Sequence, residues 1–266
     1  MAMMRELPTR ARRYVADVAA IAALDMRKLR HDPTELLTRA IQPMLWLLVF
    51  GQVFAHARNI PTGGIDYLAF LAPGILAQSV LFVAIFNGIS VIWERDLGIV
   101  HKFLVSPAAR SALVLGKALA AGVRALTQAV IVYALAAALG VRLAVGPSTL
   151  VSMVALVLLG AGLFSTFSLI VACVVKTRER FMGIGQVLTM PLFFASNAIY
   201  PTELMPGWLR ALAHANPLSY LVDGLRGVML AGGASTLGLG RDVMVLAGGM
   251  AILVAVGGRM YPRLIT

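Results

Sequence analysis

Charged residues are scarce in this sequence. Asp, Glu, Lys and Arg make up only 13% of its 266 residues, whereas 59% of the residues are hydrophobic and the mean hydropathy is +0.85. About a quarter of the residues of a typical soluble domain are charged. The composition therefore excludes an ordinary soluble domain and predicts an all-α, polytopic membrane protein.

Residue patterns typical of metal sites and of hydrolytic enzymes are missing. The single cysteine, Cys173, lies in an apolar run and cannot form a disulfide within the chain. No HExxH or Cys/His spacing joins the four histidines, which are His31, His56, His101 and His214. Gly116-Lys117 lacks the earlier glycine and the following Ser or Thr of a phosphate-binding loop, and no G-x-S-x-G nucleophile elbow occurs. We therefore expect no metal, no cofactor and no ATP hydrolysis in this chain.

Acidic and histidine side chains are missing from the middles of the apolar segments, where the only charge is Arg124. An ion-coupled secondary transporter needs such relays, so this class is disfavoured but stays open as an alternative, as does a scaffold subunit that transports nothing. The net charge of +11 is compatible with nucleic-acid binding, but the basic residues lie beside the ends of apolar segments without interleaved aromatic residues. We therefore expect these charges to face anionic membrane lipids and no nucleic acid.

Six apolar segments are long enough to cross a bilayer. They cover residues 36–55, 68–93, 113–139, 150–175, 182–200 and 243–260. Most Lys and Arg residues fall on one side of these crossings, and the other side holds only Arg58, Arg142, Arg210, Arg226 and Arg241. Because basic residues concentrate in cytosolic loops, both termini are predicted to lie in the cytosol, with a bacterial plasma membrane as the expected location. The predicted organisation is a cytosolic segment, 1–35, followed by one transmembrane domain, 36–266.

Two amphipathic stretches lie on the predicted cytosolic side. In residues 12–30, apolar residues recur at helical spacing among charged ones, which predicts a helix in the membrane interface. A role as a simple membrane anchor and a role in docking both stay open for it. In residues 94–107, Leu97, Val100 and Leu104 share one helical face beside Phe103. An ordered helix with a protruding aromatic residue favours a partner-docking surface.

A third amphipathic stretch, residues 201–229, lies on the predicted outer side. Asn216-Pro217 begins a helix of about a dozen residues, which is too short to cross a bilayer of roughly 30 Å. The sequence therefore predicts re-entrant or outer-leaflet helices before the last span. Asp223 and Arg226 stand three residues apart on this helix and are expected to neutralise each other partly.

Polar and aromatic residues within the spans are candidates for a translocation path. Arg124, with Gln128 one turn later, either extends toward the inner interface or contacts an acid on another span or a lipid head group. In the fifth predicted span, Pro191 bends the helix and leaves a carbonyl unpaired. The candidate residues after it are Phe193, Phe194, Ser196 and Asn197. We predict that this span and the first line the path, with ordinary helix packing as the alternative.

These pieces, in this order, resemble the permease subunits of ABC type-2 exporters, especially those of daunorubicin-resistance-like drug and lipid or glycolipid export systems. The resemblance covers nearly the whole chain. Its most specific parts are the inner stretch Glu94-Arg95-Asp96-Leu97-Gly98 through Leu104-Val105-Ser106-Pro107 and the outer stretch Ala215-Asn216-Pro217-Leu218-Ser219-Tyr220-Leu221-Val222-Asp223-Gly224-Leu225-Arg226-Gly227.

The resemblance implies a permease that moves a hydrophobic or amphipathic substrate outward, while separate subunits bind ATP and Mg²⁺. Two cytosolic ATPase subunits would dock on the inner helix, and a second copy of this chain or a sister permease would complete the transporter. The residues implied in docking are Glu94, Arg95, Asp96, Leu97, Lys102 and Phe103. The residues implied in the re-entrant cap over the exit are Asn216, Pro217, Tyr220, Asp223 and Arg226. Charge reversal at Glu94 or Arg95 is then expected to uncouple ATP hydrolysis from transport.

Overall fold

The structure is a computed structural model that describes residues 7–30, 38, 41–57, 62, 64–105, 108–175 and 177–264. Several sequence predictions fall outside these residues: the parts 1–6 and 31–35 of the N-terminal segment, the beginning of the first predicted span, Ser106-Pro107, and the side chain of Lys102. The described backbone is helical apart from its connecting loops and one β-bridge between Leu143 and Leu230.

The helices follow one another in a simple order. The first part of the chain forms α1 (Leu7–Arg30), α2 (the apolar helix Ile41–His56, with a π-helical stretch Trp46–Gly51), α3 (Tyr67–Asp96) and α4 (Ile99–Val105). The second part forms α5 (Arg110–Ala138), α6 (Pro147–Val174), α7 (Arg178–Phe194), α8 (Gly207–Ala215), α9 (Pro217–Met229) and α10 (Leu239–Met260). Short 3₁₀ turns occupy Thr202–Leu204 and Tyr261–Leu264.

Among the described residues, four helices are long and apolar enough to cross a membrane, namely α3, α5, α6 and the last helix with its 3₁₀ turn, Leu239–Leu264. They correspond to the second, third, fourth and sixth predicted spans. The first predicted span is described from Ile41 onward as a shorter apolar helix. The fifth is a helix of 17 residues that ends at Phe194, so the predicted continuation to Tyr200 is a turn. The all-helical class is confirmed for the described residues, and the count of six spans stays a prediction.

Helix α3 lies at the centre of the bundle. It is apolar on nearly every face and packs against α5, α6, α7 and α9, as expected for a helix without a polar side. Helix α6 contacts α3, α5 and α10, while α10 is largely exposed at the periphery. The main hydrophobic cluster fills the space between α3, α5, α6 and α9.

The two ends of the bundle differ in structure. At one end, α1, α4, the beginning of α5 and the C-terminal 3₁₀ turn surround a second hydrophobic cluster that includes Ile21, Val100 and Tyr261. At the other end, α8, α9 and the loop before α10 cover the helix ends, and the β-bridge joins that loop region to the α5–α6 connection. The predicted inner segments therefore gather at the α4 end, and the predicted outer segments gather at the α9 end.

Candidate functional site

The short helix α4 and the residues before it carry two strongly exposed apolar side chains. The sequence predicts that this helix begins near Glu94, but α3 continues to Asp96 and α4 begins only at Ile99. Gly98, at φ 71°, separates the two helices because a residue in this left-handed conformation ends an α-helix. Around this break Leu97 is 67% exposed and Val105 88% exposed, while Phe103 is half-buried.

Glu94 is buried in the last turn of α3 rather than exposed on the docking helix. Its carboxylate lies 2.6 Å from the ammonium group of Lys117 on α5, and this ammonium group lies 3.6 Å from the carboxylate of Asp25 on α1. All three side chains are at most 6% exposed. The sequence predicted Glu94 on an exposed docking helix, and the structure instead buries its side chain between α1, α3 and α5.

A second ionic contact at this end joins α3 to α7. Asp96 accepts hydrogen bonds from the guanidinium groups of Arg95 and Arg178, each at 2.8 Å. The guanidinium carbon of Arg178 also lies 3.6 Å from the ring centroid of Trp93. Arg178 and Trp93 are not among the site residues predicted from the sequence, because nothing in the spacing of the two segments indicates that they meet.

The candidate path residue Arg124 faces other helices. Its Nη1 donates to Oδ1 of Asn87 on α3 at 3.2 Å, and Nδ2 of Asn87 donates to Oγ of Ser165 on α6 at 3.1 Å. The Nε atom of Arg124 is buried without a hydrogen-bond partner among the described residues. Arg124 therefore contacts an amide on another span, whereas the sequence left open the inner interface, an acid on another span and a lipid head group.

Gln128, one turn from Arg124, lines a groove of about 390 Å³ between α2, α3 and α5. The groove combines amide and hydroxyl groups with aromatic rings. Its lining includes Gln42, Gln78, Ser79, Phe82 and Phe86. The rings of Phe82 and Phe86 stack with their centroids 6.0 Å apart. Such a surface can contact both the polar and the apolar part of an amphipathic molecule.

The other candidate path residues lie apart from this groove, where α7 ends. Phe193 is buried and meets Trp46 of α2 edge-on, with ring centroids 5.7 Å apart, so the first and fifth predicted spans are neighbours. Phe194 is 44% exposed. Oγ of Ser196 donates to the carbonyl of Phe193, and the side chain of Asn197 is buried. The structure thus places Arg124 and Gln128 in one region and the α7 residues in another.

The first residues of α9 also complete the end of α7. The Oδ1 atom of Asn216 accepts a hydrogen bond from the N–H of Leu218 and so caps α9. Its Nδ2 atom donates to the carbonyls of Leu192 at 2.6 Å and Ala195 at 3.0 Å. Carbonyls at a helix C-terminus lack partners within the helix, so Asn216 stabilises two helix ends at once. Pro217 occupies the first turn of α9, where its missing N–H costs nothing, and Oη of Tyr220 donates to the carbonyl of His214.

Asp223 and Arg226 have separate partners. The guanidinium group of Arg226 donates to the carbonyls of Asn197 at 2.9 Å and Phe70 at 3.3 Å, and its carbon lies 3.8 Å from the ring centroid of Phe70. Asp223 is fully buried and, within the described part of the chain, accepts hydrogen bonds from residues 235–237. The hydrogen bonds of these two side chains attach α9 to its surroundings at two places, while Asp223 also interacts electrostatically with Arg226.

Arg226 and Asn197 also line a pocket of about 470 Å³ at the α9 end of the bundle. The other lining residues include Ile65, Phe70, Glu203 and Thr236. A residue proposed for the path and a residue proposed for the re-entrant cap therefore meet in one cavity. Within the described residues, no three His, Cys, Asp or Glu side chains are grouped as a metal site requires.

Comparison with known proteins gives consistent matches. The family model for the ABC-2 type transporter matches residues 17–230. A putative transport permease, ycf38, from Cyanophora paradoxa is 31% identical over 75% of this chain and 69% of its own length. The daunorubicin resistance ABC transporter permease protein DrrB1 from Streptomyces coeruleorubidus is 28% identical over 89% of this chain and 82% of its own. The probable multidrug ABC transporter permease YbhR from Escherichia coli (strain K12) is 30% identical over 62% of this chain and 45% of its own.

Proposed function

The chain belongs to the ABC-2 type transporter family as a transmembrane permease subunit, and we propose that it exports a hydrophobic or amphipathic molecule from the cytosol or the inner leaflet. The observation that carries the substrate class is the groove between α2, α3 and α5. Its glutamine side chains Gln42, Gln78 and Gln128 stand beside the stacked rings of Phe82 and Phe86. A drug, lipid or glycolipid has the matching combination of apolar and hydrogen-bonding groups.

Energy for transport enters through partner ATPase subunits that bind the α4 end of the bundle. Permeases of this family generally work with ABC ATPases, and two ATPase subunits, with ATP and Mg²⁺ bound there, are part of the proposal. Leu97 and Val105 are exposed apolar side chains at this end and supply the proposed docking contacts. Closure of the ATPases would move α4 against α3 and shift the bundle between two states to which nucleotide binds differently.

The arrangement in the membrane completes the proposal. Residues 36–266 form one transmembrane domain with six crossings, in which α2 and α7 supply the first and fifth, and residues 1–35 form a cytosolic segment. Both termini and α4 face the cytosol, and α8 and α9 cap the outer end. A second copy of this chain or a sister permease pairs with it, and the expected location is a bacterial plasma membrane.

Copurification tests the proposal first. The tagged chain, coexpressed with its neighbouring genes, is purified in mild detergent, reconstituted in vesicles and assayed for export of a fluorescent amphiphile. We expect a stoichiometric ATPase and export that requires ATP. A chain that purifies alone and shows proton- or sodium-dependent flux would establish the ion-coupled alternative instead. A chain that brings down partners but supports no flux would indicate a scaffold.

Substitution of Val105 by Asp tests the docking surface. A carboxylate in an apolar contact is expected to lower the affinity for the ATPase about tenfold, which corresponds to about 1.4 kcal/mol. Val145→Asp is the matched control, because Val145 is 91% exposed at the opposite end of the bundle. Binding of the purified ATPase to both variants gives the comparison. Equal affinities in the two variants would rule out this surface. Leu97→Asp is expected to act like Val105→Asp.

Substitution of Arg124 by Gln tests the path assignment. We expect export of the amphiphile to fall about tenfold because the side chain loses its charge and its reach to Asn87, a change of about 1.4 kcal/mol in the transport barrier. Arg259→Gln, on the exposed side of α10, removes the same charge elsewhere and should have little effect. Transport rates in vesicles, normalised to folded protein, decide between them. Full export by Arg124→Gln would assign Arg124 to packing alone.

A further inference from the structure

Two buried carboxyl groups meet at the hydroxyl group of Ser235, in the loop between α9 and α10. Oγ of Ser235 lies 2.7 Å from Oδ2 of Asp223 on α9 and 2.8 Å from Oδ2 of Asp242 in the first turn of α10. Both aspartates are 0% exposed. Both distances are typical of O–H···O hydrogen bonds, so each oxygen pair requires one proton between its members.

One hydroxyl proton cannot serve both contacts. A serine hydroxyl donates a single hydrogen bond and accepts others, whereas an ionised carboxylate only accepts. If both aspartates were ionised, one of the two short contacts would place unshielded oxygen atoms against each other in a buried site. A second proton is therefore needed, and it must be on one of the carboxyl groups.

The surroundings of the two carboxyl groups decide where this proton is. Asp223 also accepts from Oγ1 of Thr236 at 2.6 Å, from the N–H of Thr236 at 3.2 Å and from the N–H of Leu237 at 2.8 Å. Donors on both oxygens stabilise the ionised form. Oδ1 of Asp242, in contrast, is buried with no hydrogen-bond partner among the described residues, and burial without donors favours the neutral acid.

We infer that Asp242 binds a proton and that this proton latches the last span to the re-entrant helix: the carboxylic acid of Asp242 donates to Oγ of Ser235, which donates to the carboxylate of Asp223. The charged neighbours of Asp242 are Asp223 on α9 and Arg241 beside it on α10. Ser235 can approach α9 because residue 227 is a glycine. A methyl group added to Gly227 would lie only 2.7 Å from the N atom of Ser235. Gly224 of α9 also approaches Asp242, since a Cβ added to Gly224 would lie 3.5 Å from Cβ of Asp242.

The latch has a consequence for movement at this end of the bundle. When residues 235–237 separate from α9, Asp242 meets water, where an aspartic acid is ionised at neutral pH. Its proton then passes to the aqueous phase, and two negative charges face each other until Asp242 is protonated again. Opening of this end and proton release are thereby linked. This inference does not depend on the substrate or on the direction of transport.

Infrared spectroscopy of the purified full chain at neutral pH tests the inference. We expect the carbonyl band of a protonated carboxylic acid, shifted in heavy water, in the unaltered protein and in Asp66→Asn, which changes an exposed aspartate. The band should disappear in Asp242→Asn, whose amide can still donate to Ser235 and preserve the fold. Persistence of the band in a folded Asp242→Asn protein, or its absence from the unaltered protein, would overturn the assignment.

A second measurement keeps the test decisive if Asp242→Asn does not fold. Carbon-13 labelling of the aspartate carboxyl groups must shift the same band in the unaltered protein, and an unshifted band refutes the inference. Thermal unfolding with added Na⁺, Ca²⁺ or Mg²⁺ addresses a bound cation between the two aspartates. We expect each cation to raise the unfolding temperature of the unaltered protein no more than it raises that of Asp242→Asn. A larger rise in the unaltered protein, without the band of the protonated acid, would show that a cation takes the place of the proton.

Discussion

Replacement of Lys117 by Met is expected to destabilise the protein by about 3 to 5 kcal/mol. The ammonium group of Lys117 lies between the carboxylates of Glu94 and Asp25, and all three side chains are buried. Without this ammonium group, the carboxylates of Glu94 and Asp25 stay buried and lose the positive charge that Lys117 supplies. Loss of one member of a buried ion group is costly because the others cannot regain their hydration. Unfolding of the purified chain in mixed micelles measures the effect.

Two further variants separate this effect from a general loss of packing. Arg110→Met removes a positive charge from the exposed beginning of the same helix and should cost little. The triple variant Lys117→Met, Glu94→Gln and Asp25→Asn removes every charge of the group, and it should recover most of the stability lost in Lys117→Met. Equal losses for Lys117→Met and Arg110→Met, or no recovery in the triple variant, would contradict the buried ion group.

The same ion group explains how α1 is attached. Two further contacts join α1 to α5. Oη of Tyr14 donates to Oγ of Ser111 at 3.3 Å. Ile21 packs against Gly116 so closely that a Cβ added to Gly116 would lie 2.6 Å from Cβ of Ile21. Helix α1 is thus packed on the bundle, and the two roles suggested by the sequence, a simple membrane anchor and docking, both stay predictions. Because Glu94 precedes α4 by a few residues, the ion group also connects α1 to the surface proposed for the ATPase.

Local signals in the sequence predicted most of the helices. Asn216-Pro217 predicts the beginning of α9, and the cap and the first-turn proline are both present. Four long apolar segments form the four long helices, because burial of apolar side chains stabilises a helix whichever segment lies beside it. The helix of residues 12–30 is likewise found within α1. Each of these predictions depends on residues that are near one another in the chain.

Contacts between distant segments could not be predicted in this way. Asp96 pairs with Arg178, Lys117 with Glu94 and Asp25, and Asp223 with the loop before α10. The periodicity of one segment does not tell which segment lies beside it. The end of the fifth predicted span was placed too late for a related reason. The side chain of Asn216, more than 20 residues further along the chain, donates to the last carbonyls of α7 and so stabilises the helix end there.

Replacement of Gly74 by Ala is expected to destabilise the protein by about 3 kcal/mol, at the upper end of the cost of overpacking. Gly74 lies in the buried part of α3 against the turn that follows α7. A Cβ on Gly74 would overlap the carbonyl oxygen of Ala198 and lie 2.9 Å from the Cα atom of that residue. The opposing atoms belong to the backbone, so no side-chain rotation can relieve the overlap. Either α3 or the turn has to move.

The displaced turn has a defined consequence for α9. Asn197, next to Ala198, provides one of the two carbonyls that hold Arg226. Gly74→Ala and Arg226→Met should therefore act on the same contact, and their combined loss of stability should be smaller than the sum of the separate losses.

Gly248→Ala is the matched control, because nothing lies within 4 Å of its added methyl group on α10. There the better helix propensity of alanine should leave stability unchanged or raise it by up to about 1 kcal/mol. Additive losses for Gly74→Ala and Arg226→Met would mean that this turn and α9 are independent, whereas non-additive losses would identify the close approach at Gly74 as the contact by which α3 fixes α9.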